Sequence, residues 1–550
     1  MRALLTTLAL LLGGAAQAQT APADAVIWGG PVYTADDARP TAQAVAVRAG
    51  RIAYVGDRAA AQAMVGPRTR VIDLKGAALF PGFVDAHAHL RGIGERELTL
   101  NLEGTASVAA LVERVRVEVA KARPGDVING RGWIETGWPE GRFPNRDDLD
   151  RVSPNNPVIL RRSDGHALVA NSLALGRAGV DARTTAPSGG AINKDAAGRP
   201  TGMLIDAAQD LVARLAAQPT PAQVAEAYQT GGRVYASRGW TGLHNMSVPW
   251  ADVPVMERLS AGGRLPIRVY NAVEQSGLEP LAASGPRRSV NGRIETRAIK
   301  LYIDGALGSR GAALLEPYAD APESRGLLRL QPAEAEAAFR RAHAAGLQVA
   351  THAIGDRGNR IVLDGYAKVL GTAGEARRWR VEHAQHLDAA DLPRFAQLGV
   401  IASMQPSHAI GDLHFAGARL GLERLAEAYP WRSVQASGAH LVGGSDAPVE
   451  RGDPLVEFYA AVARRDLKGF SGPGWHPEQA LDRASALKLF TAWPAYASFH
   501  EADLGTIAVG KRADLTAFDV DLMTAPVEAI AKGRAVLTMV DGEVLYRFAQ

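Results

Sequence analysis

The stretch Pro81-Gly82-Phe83-Val84-Asp85-Ala86-His87-Ala88-His89-Leu90 decides how the rest of the chain is read. Phe83 to His89 has the composition of a short buried strand. Successive side chains on a strand point to opposite faces, so His87 and His89 share one face. Two imidazoles on one face at a strand end can hold a divalent metal ion. Taken alone, such a pair is more often two polar strand-end residues with ordinary hydrogen bonds. The choice depends on what lies downstream.

Downstream, apolar runs recur at Thr241–Met246, Ile267–Val273, Ala298–Ile303, Leu347–His352, Trp379–His383, Val400–Met404 and His440–Asp446. With the first they make eight. Amphipathic stretches lie between several of them. Ala335, Ala338, Phe339 and Ala342, for example, fall at helical spacing. Eight strands separated by helices argue for a closed parallel barrel in residues 81–497. One connection is far too long. About 150 residues separate the first strand from the second, against a handful for an ordinary loop and helix. Within it, Ala106–Ala122 reads as a helix and Val158–Arg161 as a short strand. Residues 96–235 are therefore expected to form an inserted subdomain that leaves from the C-terminal end of a barrel strand and covers the mouth.

Both ends of the chain are rich in strand patterns. Ala44–Val47 and Ile52–Val55 read as a hairpin with Gly50 at the turn. Val71–Leu74, Asp514–Phe518 and Val536–Val540 read as strands, and Asp541-Gly542 is a tight-turn signal. Residues 23–80 and 498–550 are expected to pack as one β-domain; two separate end pieces are the alternative.

Residues 1–18 stand apart. Arg2, the apolar run Ala3–Leu12 and the small-x-small triplet Ala16-Gln17-Ala18 form a secretory signal peptide, too short to span a bilayer as a helix. Export to a periplasm or the exterior is expected, with no membrane anchor after cleavage. The chain has no Cys, so it needs no disulfide there, and any metal must be held by His, carboxylate or Lys. A formal charge of +3 over 550 residues, with no Lys/Arg block, argues against a nucleic-acid partner. The expected partner is a small-molecule substrate, with a homodimer as an option.

The strand ends form a set. The first carries His87 and His89, the fourth Lys300 and then Asp304, the fifth His352, the sixth His383 and the eighth Asp446. Each alone reads as a buried imidazole or a helix cap. Five potential metal ligands (His87, His89, His352, His383 and Asp446) and a lysine, all on one barrel rim, are hard to explain as independent caps. Lys300 lies inside an apolar strand, where a protonated amine beside a divalent cation is unfavourable. Its neutral amine can react with carbon dioxide to give an anionic carbamate able to bridge two ions; the alternative is a lysine paired with Asp304 or another carboxylate.

These residues resemble the amidohydrolase superfamily, within it the amidohydrolase-3 branch that includes N-substituted formamide deformylase-like proteins. The resemblance rests on Pro81 to His89, Asp164-Gly165-His166, Lys300 with Asp304 to Arg310, Thr351 to Asp356, Glu382-His383-Ala384-Gln385, Gln405-Pro406, Gly444 to Pro448, and Leu504 to Asp514. It implies an α/β fold: a (β/α)8 TIM-like barrel with a composite β-sandwich built from both termini. It implies one or two divalent ions, zinc above all, held by His87, His89, His352, His383 and Asp446, with Lys300 as a bridging carbamate. Asn245 departs from the branch, where Asp is common, and is expected to alter pocket polarity.

The chemistry these groups support is metal-assisted hydrolysis. Asp446 would act as general base and then acid, and His383 or His166 would stabilise an oxyanion. His166, Gln405 and His408 are the candidate substrate contacts. Hydrolysis of amide, N-formyl, N-acyl or cyclic amide bonds is the leading reading. A lactonase or esterase could use the same site. A non-catalytic periplasmic binding protein is the third reading, and the full set of candidate ligands weighs against it.

Overall fold

The computed structural model describes residues 21–187, 189–215, 219–371, 374–472 and 475–548. The expected signal peptide, residues 1–18, lies outside them.

Eight parallel strands run in chain order around the centre: Phe83–Ala88, Trp240–Val248, Arg268–Val273, Ile294–Tyr302, Gln348–Ala353, Arg380–His383, Ile401–Met404 and Leu441–Gly443. Each pairs with the next in parallel. Nearly every residue in them is buried, as expected for strands covered on both faces. The ring is nearly closed. Just beyond the eighth strand, Asp446 N–H donates to the His87 carbonyl (2.6 Å), and His89 N–H donates to that of Ala447 (2.7 Å). The helix expected from its apolar spacing spans Pro332–Ala344 and buries Ala335, Ala338, Phe339 and Ala342.

The helix after the first strand, Leu90–Leu98, packs on Pro221–Arg238, the helix that leads into the second strand. Glycines set this approach: a Cβ on Gly94 or Gly231 would run into the Ala227 or Leu90 carbonyl oxygen. Between those helices lies a mixed sheet of six strands in the order Gly190–Lys194, Pro200–Asp206, Ala167–Ala170, Val158–Arg162, Ile128–Trp133, Leu100–Asn101. It has its own apolar cores, one including Leu111, Trp133, Leu160 and Met203. The helix read at Ala106–Ala122 is Val108–Val119, capped by the Ser107 side chain on Ala110 N–H. The strand read at Val158–Arg161 is Val158–Arg162, and the other strands of this sheet escaped the sequence pattern. Ile128–Trp133, for instance, carries two glycines and an arginine and shows no alternation.

Segments from the two end regions of the chain meet in one sheet. Ala78–Pro81 pairs antiparallel with Leu515–Phe518, in the order Glu543–Arg547, Ala535–Val540, Leu515–Phe518, Ala78–Pro81, Val32–Tyr33, Thr41–Ala42. A second sheet holds Arg51–Gly56, Ala44–Arg48, Ala25–Trp28 and Arg70–Asp73. Ile27, Val45, Ile72, Leu515 and Leu537 share one core between them. Both expected turns use left-handed pairs: Ala49 and Gly50 (φ 49° and 74°), and Asp541 and Gly542 (φ 50° and 76°). Among the described residues no helix is long and apolar enough to cross a membrane.

Candidate metal centre

The C-terminal rim gathers the strand-end residues. His87, His383 and Asp446 each offer a ligand atom within 4.8 Å of the others, and all three are buried. Asp446 Oδ1 lies 3.5 Å from His87 Nε2 and 3.0 Å from His89 Nε2. The His352 ring stands 4.6 Å from that of His383, centroid to centroid. His383 and Asp446 have left-handed backbones (φ 74° and 58°), unusual for non-glycine residues.

Each imidazole is backed on one nitrogen, which frees the other. His87 Nδ1 donates to Glu382 Oε2 (2.6 Å), His89 Nδ1 to the Met246 carbonyl (3.0 Å), and His383 Nδ1 to Gln405 Oε1 (2.8 Å). In all three the Nε2 lone pair remains for a ligand. His352 is turned the other way. Its Nε2 lies 3.4 Å from Asp304 Oδ1, so Nδ1 is its free nitrogen. Burial pushes His87 down to about 4, helped by the Lys300 charge. His383 is held well below the usual imidazole value by burial and then by the neighbouring His352 and His87. Burial opposes ionisation of Asp446, but the facing His87 and His89 more than offset it.

Lys300 is buried, with Nζ 3.3 Å from His87 Nε2. Burial pushes its amine down to about 8. Asp304 is not its partner. That carboxylate accepts from the N–H groups of Ala313 (2.8 Å), Ile354 (3.0 Å) and Gly355 (2.9 Å) besides facing His352. Among the described residues Lys300 has no carboxylate partner.

The three candidate substrate contacts fall in different places. Gln405 is turned to His383, as above, and so orients that ring. His408 joins the rim, its Nε2 3.7 Å from Asp446 Oδ2 and its Nδ1 3.2 Å from Gln385 Nε2. His166 comes from the insertion, with Nδ1 2.7 Å from Asp206 Oδ1. Its charge opposes protonation of His352, which puts it within electrostatic reach of the rim. Asn245 faces structure: its Oδ1 accepts from Leu90 N–H (2.9 Å) and its Nδ2 donates to Asn271 (3.1 Å).

Sequence reading assigned no role to the groups beneath the rim. Glu382 and Arg380 form a fully buried ion pair (2.7 Å). Arg380 also donates to the Ala86 carbonyl (2.6 Å), Ser403 (2.8 Å) and His244 Nδ1 (2.7 Å). Burial opposes the Glu382 charge, but Arg380 and His87 hold it well below the usual range. Asp85 joins the first strand to the residues before Asp446. It accepts from Ser445 N–H (2.9 Å), Ser445 Oγ (2.5 Å), His87 N–H (3.1 Å) and Tyr235 Oη (2.9 Å). The local signal was the alternation itself, which points Asp85 and His87 to one face of the strand and places Arg380 and Glu382 two residues apart.

The donors fit a divalent cation. Asp446 Oδ1 is buried without a hydrogen bond and faces the Nε2 atoms of His87 and His89, whose Nδ1 atoms donate elsewhere. A cation satisfies those lone pairs together, and nitrogen with carboxylate oxygen is a donor set suited to zinc.

Fold and site thus define a parallel eight-stranded barrel protein with a histidine–carboxylate centre on its C-terminal rim. The chain belongs to the amidohydrolase family, whose profile matches residues 70–546. It is 34% identical over 533 residues to the putative amidohydrolase YtcJ of Bacillus subtilis, covering 94% of this chain and 99% of that one. It is 28% identical to the N-substituted formamide deformylase of Arthrobacter pascens, covering 95% and 98%. An uncharacterized metal-dependent hydrolase from Pyrococcus horikoshii has the same fold, with a TM-score of 0.74 and 28% identity over 92% of this chain and 99% of that one.

Proposed function

We propose that this protein is a metal-dependent hydrolase that cleaves a carbon–nitrogen bond (amide, N-formyl, N-acyl or cyclic amide) of a small molecule. The observation that carries the reading is the convergence of the His87, His89 and His383 rings, each already donating from Nδ1 elsewhere, on the Asp446 oxygen that has no hydrogen bond. Likeness to the formamide deformylase supports the bond class, and likeness to the archaeal metal-dependent hydrolase supports the metal.

His87, His89, His352, His383 and Asp446 would hold the metal, with zinc favoured by the nitrogen-rich donors. When bound, a divalent ion polarises the scissile carbonyl and makes the attacking water more acidic. Asp446 takes the proton of that water and passes it to the leaving nitrogen. Glu382, Met246 and Gln405 keep the rings of His87, His89 and His383 in the tautomer with Nε2 free. The insertion supports water exclusion, since Ser163 Oγ and Arg131 reach the carbonyls of Val449 (2.8 Å) and Pro448 (3.2 Å) beside Asp446. Lys300, a buried amine with no carboxylate partner, reacts with carbon dioxide, releases a proton and becomes the carbamate that completes a two-ion site. The two terminal sheets, sharing one core, are read as a composite β-sandwich at the far end of the barrel. The residue 1–18 segment supports export to a periplasm or the exterior.

The test is turnover by purified, zinc-reconstituted protein of N-formyl and N-acyl compounds, cyclic amides, esters and lactones. Turnover of a C–N substrate that is lost on chelation and restored by zinc is expected. Turnover of lactones or esters alone would overturn the bond class, and failure to bind any divalent ion would overturn the hydrolase reading.

A further inference from the structure

Arg329 is an exposed cation at the site mouth, with no ion-pair partner among the described residues. Its backbone N–H donates to the Ile303 carbonyl (2.8 Å), which anchors it just past the fourth barrel strand. Its guanidinium carbon stands 4.9 Å from the centroid of the Tyr302 ring. That ring lies 5.0 Å from Lys300 Nζ and 5.3 Å from the His352 ring, and its hydroxyl is 2.5 Å from Ser247 Oγ. Tyr302 is therefore a wall of the site, and Arg329 lies against it. Among the described residues the Arg329 guanidinium has no ion pair and no hydrogen bond. Other arginines near the site are paired: Arg162 with Glu135 and Asp164, Arg380 with Glu382.

A second donor, His166, lies in the insertion within electrostatic range of it. The charge of Arg329 opposes protonation of both His166 and Lys300, so Arg329 reaches the insertion and the rim alike. Burial opposes protonation of His166, but Asp206 and Asp164 outweigh it and raise its pKa. With Nδ1 held by Asp206, the free position on His166 is Nε2. A planar guanidinium laid on an aromatic ring is pre-organised for bidentate binding of a carboxylate. One arginine and one imidazole suit a monoanion better than a dianionic phosphate, because Asp164, Asp206 and Asp446 are close by.

We infer that Arg329 and His166 form a carboxylate clamp at the mouth of the site, so that the preferred substrates are amides bearing a free carboxylate, such as N-acyl or N-formyl amino acids. The clamp rests on the C–N hydrolase reading only for the choice of amide.

The test compares N-acetyl and N-formyl amino acids, in both D and L series, with their uncharged methylamides on zinc-reconstituted protein. Wild type should prefer the acids in kcat/KM by about tenfold or more, the scale of a charge-assisted hydrogen bond. Arg329→Met should abolish that preference, and Arg329→Lys should keep part of it. Equal use of acid and methylamide by wild type, or a preference that survives in Arg329→Met, would overturn the clamp. If neither class is turned over, the C–N reading fails by itself. Calorimetric binding of the same pairs then decides the clamp, with equal affinity for acid and methylamide overturning it and a preference lost in Arg329→Met supporting it.

Discussion

Nδ1 of His87 lies 2.6 Å from Oε2 of Glu382, and both side chains are almost wholly shut off from solvent. The carboxylate accepts the hydrogen bond from Nδ1–H and so determines which nitrogen of His87 faces the rim. The same carboxylate neutralises Arg380, which is equally buried. Glu382 thus couples the candidate metal centre to the polar core of the barrel.

Glu382→Gln keeps the shape and removes the charge. Metal affinity should fall about 10–100-fold, the usual cost of losing such a backing group. Stability should fall by about 3–5 kcal/mol, because Arg380 is left buried and uncompensated. Competition with a chelator and urea unfolding measure the two effects. Wild-type metal affinity in this variant would show that Glu382 does not orient His87.

His87→Ala and His352→Ala should each abolish hydrolysis and lower metal content while the circular-dichroism spectrum stays that of wild type. The strands that carry these residues are packed by their own apolar neighbours. Full activity in metal-free His87→Ala protein would sink the assignment of His87 as a ligand.

Lys300 separates two ions from one. As a carbamate it would supply two oxygens that help hold a second ion, as in other two-metal sites. Lys300→Ala should then lose at least one ion and most activity, with partial rescue by short carboxylic acids. Lys300→Arg should resist rescue, since its side chain fills the space and stays charged. Metal stoichiometry with bicarbonate present during reconstitution decides. One tightly bound ion and equal activity in wild type and Lys300→Ala would make Lys300 structural.

Acid should loosen the junction of barrel and β-domain. Asp541 binds Arg268 (2.5 Å), Arg293 (3.1 Å) and Arg512 (2.7 Å). Burial opposes its ionisation, but Arg268 and Arg512 bring its pKa from 3.8 down to about 2. A depressed carboxylate contributes stability that is complete above its unfolded value and disappears as pH falls through its folded value. The contribution is about 2 kcal/mol. Asp541→Asn should therefore be less stable than wild type at pH 7, with the gap closing between about pH 4 and 2. Urea unfolding across that range tests this, and a gap independent of pH would refute it.

The protein isolated from its native host should begin at Gln19, within a residue, and be found outside the cytoplasm. Mass spectrometry settles the point. Soluble cytoplasmic protein that retains residues 1–18 would show the export reading to be wrong.

The chain's local order already contained the barrel and its rim. Apolar runs of strand length, and the alternation that points His87 and His89 the same way, follow from backbone geometry within a few residues. So do the left-handed turns at Ala49-Gly50 and Asp541-Gly542. The six-stranded sheet of the insertion was mostly illegible, because strands such as Ile128–Trp133 are held by neighbours and not by their own pattern. The protonation pattern of the rim was out of reach for the same reason. His87 and Glu382 are 295 residues apart in sequence, and His89 and Met246 are 157 apart. That Lys300 faces His87 and not Asp304, and that Arg329 lies unpaired on Tyr302, depends on the barrel being nearly closed and the loops settled over it. A residue's face is a property of its own strand. Its partner is a property of the packed molecule, because hydrogen bonds and charges act over distances that only tertiary contact brings within range.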